Sequence, residues 1–427
     1  MNLLLRQINA VLPEGDTLVV RRCDICVQGT RIAHVGACPP DFKPGKIIDG
    51  TNRLVIPGLV NAHTHAAMTL LRNRADDLPF MTWLFDHVVP MEERLQPGDV
   101  YWGTMLAACE MLHSGTTCFN DMYCPVDEMI RAAQDSGMRA VLSRGLLGES
   151  CKDPAGLERL NNAVAETKNY RGTNKITFAL APHAPYTCSP DYIKLVVAHA
   201  KELGVMIHTH LGESRDEIAQ IKERYGKTPF EYMEDLGLFE LPTVAAHCVY
   251  MTEADMKIAA KYNMSVATNP VSNLKLANGV APVKQMLERG INVALGTDGT
   301  ASNNSLNMLR ELGYLCLLHK GVNEDAQCIP AAQGLQIATI NGAKALGLEE
   351  EIGSIEVGKR ADFTVLNCED SHWVPQSNLL AALCYGAQGS DVETVVVNGE
   401  ILLENKQLTK IDEERVQYEA QKIAERL

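Results

Sequence analysis

The sequence predicts an α/β fold: a (β/α)8 TIM barrel, with a small β-sandwich domain to which both chain ends contribute. Three observations carry this expectation. Eight short apolar segments alternate with helical stretches through the middle of the chain, which is the rhythm of a parallel sheet. Short strands and turns fill residues 1 to about 55, and the same texture returns only near the other end. The chain has 427 residues; a barrel of this kind takes about 250, so a second, smaller unit must hold the rest.

In chain order, residues 1–56 contribute Leu3-Leu4-Leu5, Thr17 to Val20, Asp24 to Gln28 and Arg31 to Val35, broken at Pro13-Glu14-Gly15 and Gln28-Gly29-Thr30. Residues 57–350 are assigned to the barrel. Its expected strands are Val55 to Ala62, Thr116 to Asn120, Ala140 to Arg144, Ile176 to Ala181, Val205 to Thr209, Thr243 to Ala246, Ser265 to Thr268 and Asn292 to Gly296. Each is short and mostly apolar, as strands buried on both faces are. Helical segments such as Pro97 to His113 and Glu253 to Tyr262 carry apolar residues three and four apart and are placed outside the sheet. An open doubly wound sheet is the competing arrangement, but no Gly-rich nucleotide fingerprint follows the first strand. Residues 351–427 return to the small domain through Ala361 to Leu366 and Val392 to Asn398, and end in a charged amphipathic helix, Glu413 to Leu427.

Composition narrows the function classes. A net charge of −14 without a compensating basic run disfavours nucleic acid and anionic membrane surfaces as partners. With 46% hydrophobic and 22% charged residues and no long apolar stretch, no membrane span is expected. The first five residues are too short an apolar run for a secretory signal. Thirteen cysteines without regular pairing fit reduced thiols, and together these features suggest a cytoplasmic protein. The one close pair, Cys23 and Cys26, sits in a strand-like context instead of the helix start a redox motif needs.

The most informative residues close the barrel strands. His63 and His65 lie two apart at the end of the first, so both imidazoles point to one face. His208 and His210 close the fifth strand, His247 the sixth and Asp298 the eighth. A lone histidine is usually a hydrogen-bonded core residue. Four strands presenting His or Asp at the end where barrel active sites collect are hard to attribute to packing. Three imidazoles and one carboxylate from this group suit a single divalent metal, zinc first and iron second, and leave room for water. Such a metal brings the pKa of water toward neutrality, which hydrolysis at an unreactive carbon requires.

The motifs PGLVNAHTH, HTHLGES, AAHC and GTDG, in this order and at barrel-strand spacing, closely resemble the amidohydrolase superfamily. The resemblance extends over nearly the whole chain, including Gly353 to Phe363. It implies that His63, His65, His210 and Asp298 ligate the metal, that Glu213 shuttles protons, that His247 orients the nucleophile and steadies the adduct, and that Asp298 also accepts the water proton. The fourth strand ends in Ala181-Pro182-His183 without the lysine a binuclear centre of this superfamily uses, so a mononuclear deaminase site is implied.

Within the superfamily, Met81-Thr82-Trp83-Leu84, Pro90-Met91-Glu92, Ser143-Arg144-Gly145 and Ala181 to Tyr186 look like the group that deaminates 5-methylthioadenosine and S-adenosylhomocysteine. The resemblance implies hydrolytic deamination of a 5′-substituted adenosine (methylthioadenosine, S-adenosylhomocysteine, 5′-deoxyadenosine or adenosine) to the inosine analogue and ammonia. Trp83 is expected against the adenine or sugar, Glu92 on the ribose hydroxyls, His183 on the purine and Arg144 on an amino-acid carboxylate; Glu213, Asp298 and Ser302 complete the substrate set. The resemblance also implies that members acting on S-adenosylhomocysteine add a second carboxylate-binding arginine in the loop after Arg144, for which Arg159 is the nearest candidate here. Other aromatic heterocycles (guanine, an oxidised purine, a triazine) are the alternative substrates, and a non-catalytic scaffold is the remote alternative. A small nucleoside is the expected partner, and a homo-oligomer is compatible with the sequence.

Overall fold

The computed structural model describes residues 2–427. Apolar alternation near the start of the chain is realised as two long antiparallel strands, Asn2–Glu14 and Thr17–Gln28. A bulge between Leu5 and Ile8, with Gln7 at φ 50°, divides the first of them. Its early half pairs in parallel with Lys46–Asp49 and its later half with Arg53–Pro57. Phe363–Asn367, Val392–Val397, Glu400–Glu404 and Gln407–Leu408 extend the sheet from Arg53–Pro57, and Arg31–Gly36 closes its other edge. Both chain ends therefore share one nine-stranded sheet. Residues of its two arms, among them Leu5, Val27, Val55, Phe363 and Val396, meet in a common apolar core.

The eight barrel strands follow one another in sequence order: Leu59–Thr64, Thr116–Met122, Arg139–Ser143, Ile176–Pro182, Met206–Leu211, Thr243–His247, Ser265–Thr268 and Asn292–Leu295. All neighbouring pairs are parallel. The ring is drawn together where Asp298 N–H donates to the His63 carbonyl at 3.0 Å and Asn61 Nδ2 donates to Thr297 Oγ1 at 2.7 Å. Small side chains such as Ala62, Cys118, Ala179, Ala267 and Ala294 fill the lower interior, with Leu346 and Ile352 below them.

One boundary differs from expectation. Val55 to Ala62 is not one strand: Arg53–Pro57 pairs antiparallel with Phe363–Asn367 in the terminal sheet, and the barrel begins at Leu59. Gly58 makes the crossing, where a Cβ would lie 2.1 Å from Thr117 Oγ1. The terminal helix, Glu413–Arg426, lies against the barrel helix Asp99–His113 through His113–Glu413 at 3.0 Å and an Arg426–Asp99 ion pair. Buried Arg139 at the start of the third strand holds Asp362 through two hydrogen bonds, tying the returning segment to the barrel. The cysteines are free thiols, with Cys23 and Cys26 on a strand. Among the described residues no helix is long and apolar enough to cross a membrane.

Candidate active site

The first barrel strand solves a phasing problem. Val60 and Ala62 already face the interior cluster, so strict alternation would turn His63 and His65 away from it. The pairing register breaks between Asn61 and Thr64, and past the break His63 and His65 enter the same interior.

Hydrogen bonds then fix which nitrogen of each imidazole carries the proton. His65 Nδ1 is 2.7 Å from the Met122 carbonyl and His210 Nδ1 is 2.8 Å from the His183 carbonyl. A carbonyl only accepts, so both Nδ1 atoms are protonated and both Nε2 atoms carry bare lone pairs. These two Nε2 atoms stand 3.2 Å apart. His63 Nδ1 lies 2.8 Å from His208 Nε2, and His208 Nδ1 lies 3.5 Å from Ser143 Oγ, whose hydroxyl donates to the Asp121 carbonyl at 3.0 Å. Followed outward, this chain makes His63 Nδ1 a donor and leaves its Nε2 bare. That atom is buried and makes no hydrogen bond to the protein.

Asp298 Oδ1 completes the group, 3.3 Å from His63 Nε2 and 3.4 Å from His65 Nε2. Its Oδ2 accepts from Ser272 Oγ at 2.6 Å and Ser302 Oγ at 2.8 Å. Facing lone pairs and a carboxylate oxygen repel one another unless a cation lies between them. Tetrahedral ligands at about 2.0–2.1 Å from zinc stand about 3.3 Å apart, close to the spacings here. The donor set fits a divalent metal. Burial pushes the His63 imidazolium down to about 3, so the ring is neutral, as a ligand must be.

Glu213 follows the fifth strand on a turn whose Gly212 and Glu213 amides both donate to the Glu217 carboxylate, at 2.8 and 2.9 Å. Its Oε1 accepts from Asn278 Nδ2 at 3.1 Å, and its Oε2 is 3.7 Å from His247 Nε2. Burial, and then the charge of Asp298, push its carboxyl well above the usual range. His247 is aimed by Asn273 Oδ1, 2.9 Å from its Nδ1. His247 and Asp298 both occupy left-handed backbone conformations, φ 72° and 61°. Each such residue costs on the order of 1 kcal/mol, a strain that gathers at functional sites. Gly296, two residues before Asp298, is required by contact: a Cβ there would lie 2.4 Å from Asn269 Oδ1.

The expected substrate residues stand at differing depths. Trp83 is buried, donates from Nε1 to the Ala301 carbonyl at 3.2 Å and stacks on Phe80 with ring centroids 6.0 Å apart. Glu92 is half-buried beside Tyr123 and His65, and burial raises its carboxyl. His183 Nδ1 lies 3.2 Å from Thr187 Oγ1 with its ring against His210, and burial lowers it to about 4. Ser302 is buried and gives its hydroxyl to Asp298, so it positions that carboxylate. Arg144 pairs with Glu166 through Nε at 3.2 Å and through Nη2. Sequence reasoning overlooked Ser272, Asn273 and Asn278, which reach the site from the segment after the seventh strand, and Glu217 behind Glu213. The only signal was the polar run Asn269-Pro270-Val271-Ser272-Asn273 directly after a strand end, which reads equally as a loop.

A parallel barrel whose mouth gathers three imidazole nitrogens and a carboxylate defines a metal-dependent hydrolase, and the chain belongs to the amidohydrolase family, whose model matches residues 54–402. Over its whole length it is similar to the 5-methylthioadenosine/S-adenosylhomocysteine deaminase of Thermoanaerobacter pseudethanolicus, with 45% identity over 429 residues covering 100% of this chain and 99% of the relative. The enzyme of the same name from Pelotomaculum thermopropionicum is 46% identical with the same coverage. Among solved structures, an adenosine deaminase from Xanthomonas campestris with bound zinc superposes with a TM-score of 0.95 at 34% identity, covering 99% of this chain and 98% of that one. The zinc-complexed atrazine chlorohydrolase of Arthrobacter aurescens, at 24% identity and TM-score 0.90 over 99% of this chain and 100% of that one, shares the fold.

Proposed function

We propose that this protein hydrolytically deaminates a 5′-substituted adenosine to the inosine analogue, releasing ammonia, and that His63, His65, His210 and Asp298 hold one zinc ion, with iron the second choice. The observation that carries the reading is Glu213: a buried carboxyl, tethered by Asn278 and facing His247 beside the metal-binding nitrogens, with its proton affinity raised by burial. The named relatives and the zinc-bound adenosine deaminase structure support it.

Zinc in this donor set supplies the Lewis acidity that makes water nucleophilic near neutral pH. The residues manage the protons. As water oxygen bonds to C6 of the purine, Asp298 takes one proton, its Oδ2 already steadied by Ser272 and Ser302. Glu213 donates to ring N1 as C6 loses its double bond to N1; it then takes the proton held by Asp298 and passes it to the amino group, so that C6–N cleavage expels ammonia, and the C6 hydroxyl proton restores Glu213 as the carbonyl forms. His247, held by Asn273, hydrogen-bonds the new oxygen at C6. Trp83 offers a flat face to the base, His183 a hydrogen-bonding ring to the purine, Glu92 a carboxylate to the ribose diol and Arg144 a cation near the 5′ end.

The test is a side-by-side assay of zinc-loaded protein on adenosine, 5′-deoxyadenosine, methylthioadenosine and S-adenosylhomocysteine, following adenine absorbance and ammonia. We expect ammonia from at least one 5′-substituted nucleoside. No ammonia from any of the four overturns the proposal.

A further inference from the structure

One charged pair at the rim of the mouth has no part in the proton transfers. Arg144 directly follows the third barrel strand, and Glu166 reaches it from the helix Pro154–Asn169. Arg144 Nε donates to Glu166 Oε2 and Nη2 to Oε1, and the side chains are only 13% and 15% exposed. Nη1 makes no hydrogen bond to protein among the described residues, so the Nε–Nη2 edge of the guanidinium fork is taken, while the two Nη1 N–H groups and the second Nη2 N–H are left. The Tyr123 amide donates to the Ser143 carbonyl at 3.0 Å, so the end of the second barrel strand, against which Glu92 sits, adjoins the residue before Arg144.

An unpaired, partly buried guanidinium favours a carboxylate strongly, because it offers two parallel donors and a full charge. With Glu166 in place the pair is neutral, a second carboxylate meets a like charge, and bidentate capture through Nε and Nη2 is blocked. We propose that Glu166 is a specificity-determining residue, which selects uncharged 5′ substituents over carboxylate-bearing ones by neutralising Arg144 and occupying one edge of its fork. The proposal rests on the nucleoside reading above. Arg159 is exposed on the same helix, and among the described residues it makes no ion pair, so it leaves the neutrality of the buried pair unchanged.

The experiment measures kcat/KM for methylthioadenosine, for 5′-S-(2-carboxyethyl)-5′-thioadenosine and for S-adenosylhomocysteine in wild type, Glu166→Gln and Glu166→Asp. The ratio of carboxyethyl to methyl substrate within one preparation cancels the fraction of active protein, so partial misfolding does not obscure the result. Glu166→Gln is expected to raise that ratio about tenfold, the scale of one partly buried charge pair. Glu166→Asp, which keeps the charge, is expected to stay within threefold of wild type. A Glu166→Gln ratio that is unchanged or lower overturns the proposal, as does a selective loss of S-adenosylhomocysteine activity, which makes Glu166 a receptor for the substrate ammonium. Wild type that releases no ammonia from any of these three nucleosides, nor from adenosine or 5′-deoxyadenosine, overturns the deamination reading itself; ammonia with an unmoved ratio overturns only the role of Glu166.

Discussion

His65 and Arg144 both stand where barrel strands end, yet they are held in opposite ways. His65 donates to a backbone carbonyl of the neighbouring strand at 2.7 Å, which leaves its other nitrogen pointed at Asp298 and His210. Arg144 is held by a side chain on an outer helix, Glu166, through the same donors that a substrate carboxylate would use. The same division runs around the mouth. On the floor, His210 is anchored to a carbonyl, Asp298 to two serines and His247 to Asn273. On the rim, Glu92 comes from the short helix Val89–Glu92, and His183, on the loop after the fourth strand, meets Thr187 Oγ1 with its ring while its carbonyl anchors His210. The floor side chains are fixed by backbone carbonyls and neutral polar neighbours, the kind of support that preorganised chemistry requires, whereas Arg144 on the rim is held by a single side chain.

This contrast is broken most directly at the floor. We predict that His65→Ala loses both stoichiometric metal and turnover, by more than about a thousandfold, because one of four donors and its carbonyl anchor are removed together. Metal analysis of chelator-free preparations, paired with ammonia release, checks it; a variant that keeps full metal and activity removes His65 from the ligand set. Glu213→Gln separates the metal from the proton. It is expected to keep the metal while kcat falls about 10²- to 10⁴-fold, since the amide still accepts from Asn278 but cannot relay a proton. Unchanged kcat eliminates the shuttle.

A smaller effect is expected at the rim. Glu92→Gln weakens acceptance from the ribose diol, so KM for the nucleoside should rise about tenfold with kcat within a few-fold of wild type. A large fall in kcat with KM unmoved erases the distinction between floor and rim. The same variant tests the substrate class, because a nucleobase without ribose gains nothing from Glu92.

Legibility in the sequence follows the same division. The strand rhythm and the His and Asp residues at strand ends were readable because a buried parallel strand demands an apolar run and a metal demands particular side chains. The register break that brings His63 and His65 into the interior was not readable: alternation alone puts them on one face without saying which face it is. The split at Gly58 was hidden for a related reason, since two consecutive apolar strands in different sheets look like one. Ser272, Asn273 and Asn278 escaped because a neutral polar residue in a loop carries no mark of what it will touch. The Arg144–Glu166 pair joins residues 22 positions apart across a strand end and a helix, a contact that only the folded chain brings about.

The least visible part of the floor is Glu311, and it gives the most easily graded prediction. It is fully buried on the helix Met308–Val322, where it accepts from Asn303 Nδ2 at 2.6 Å and from the Val271 amide at 3.3 Å. It thereby ties the segment that carries Ser272 and Asn273 to the one that carries Ser302. Burial raises its carboxyl from 4.5 to about 8 despite those two donors. Below pH 4.5 the group is protonated in folded and unfolded chains alike, and its contribution to stability is complete. As pH rises toward 8 the unfolded chain releases this proton while the folded chain retains it, so stability is lost progressively and the loss levels off only above the folded-state value. The full term is on the order of a few kcal/mol. Glu311→Gln removes the titration: the variant should be less stable than wild type near pH 5, because its hydrogen bonds are imperfectly replaced, and the gap should narrow or reverse by pH 8.5. Thermal midpoints of the metal-loaded proteins across that range provide the measurement. A gap that stays constant with pH shows that Glu311 is already ionised in the folded chain, and moves the origin of any pH dependence of the floor to another carboxyl.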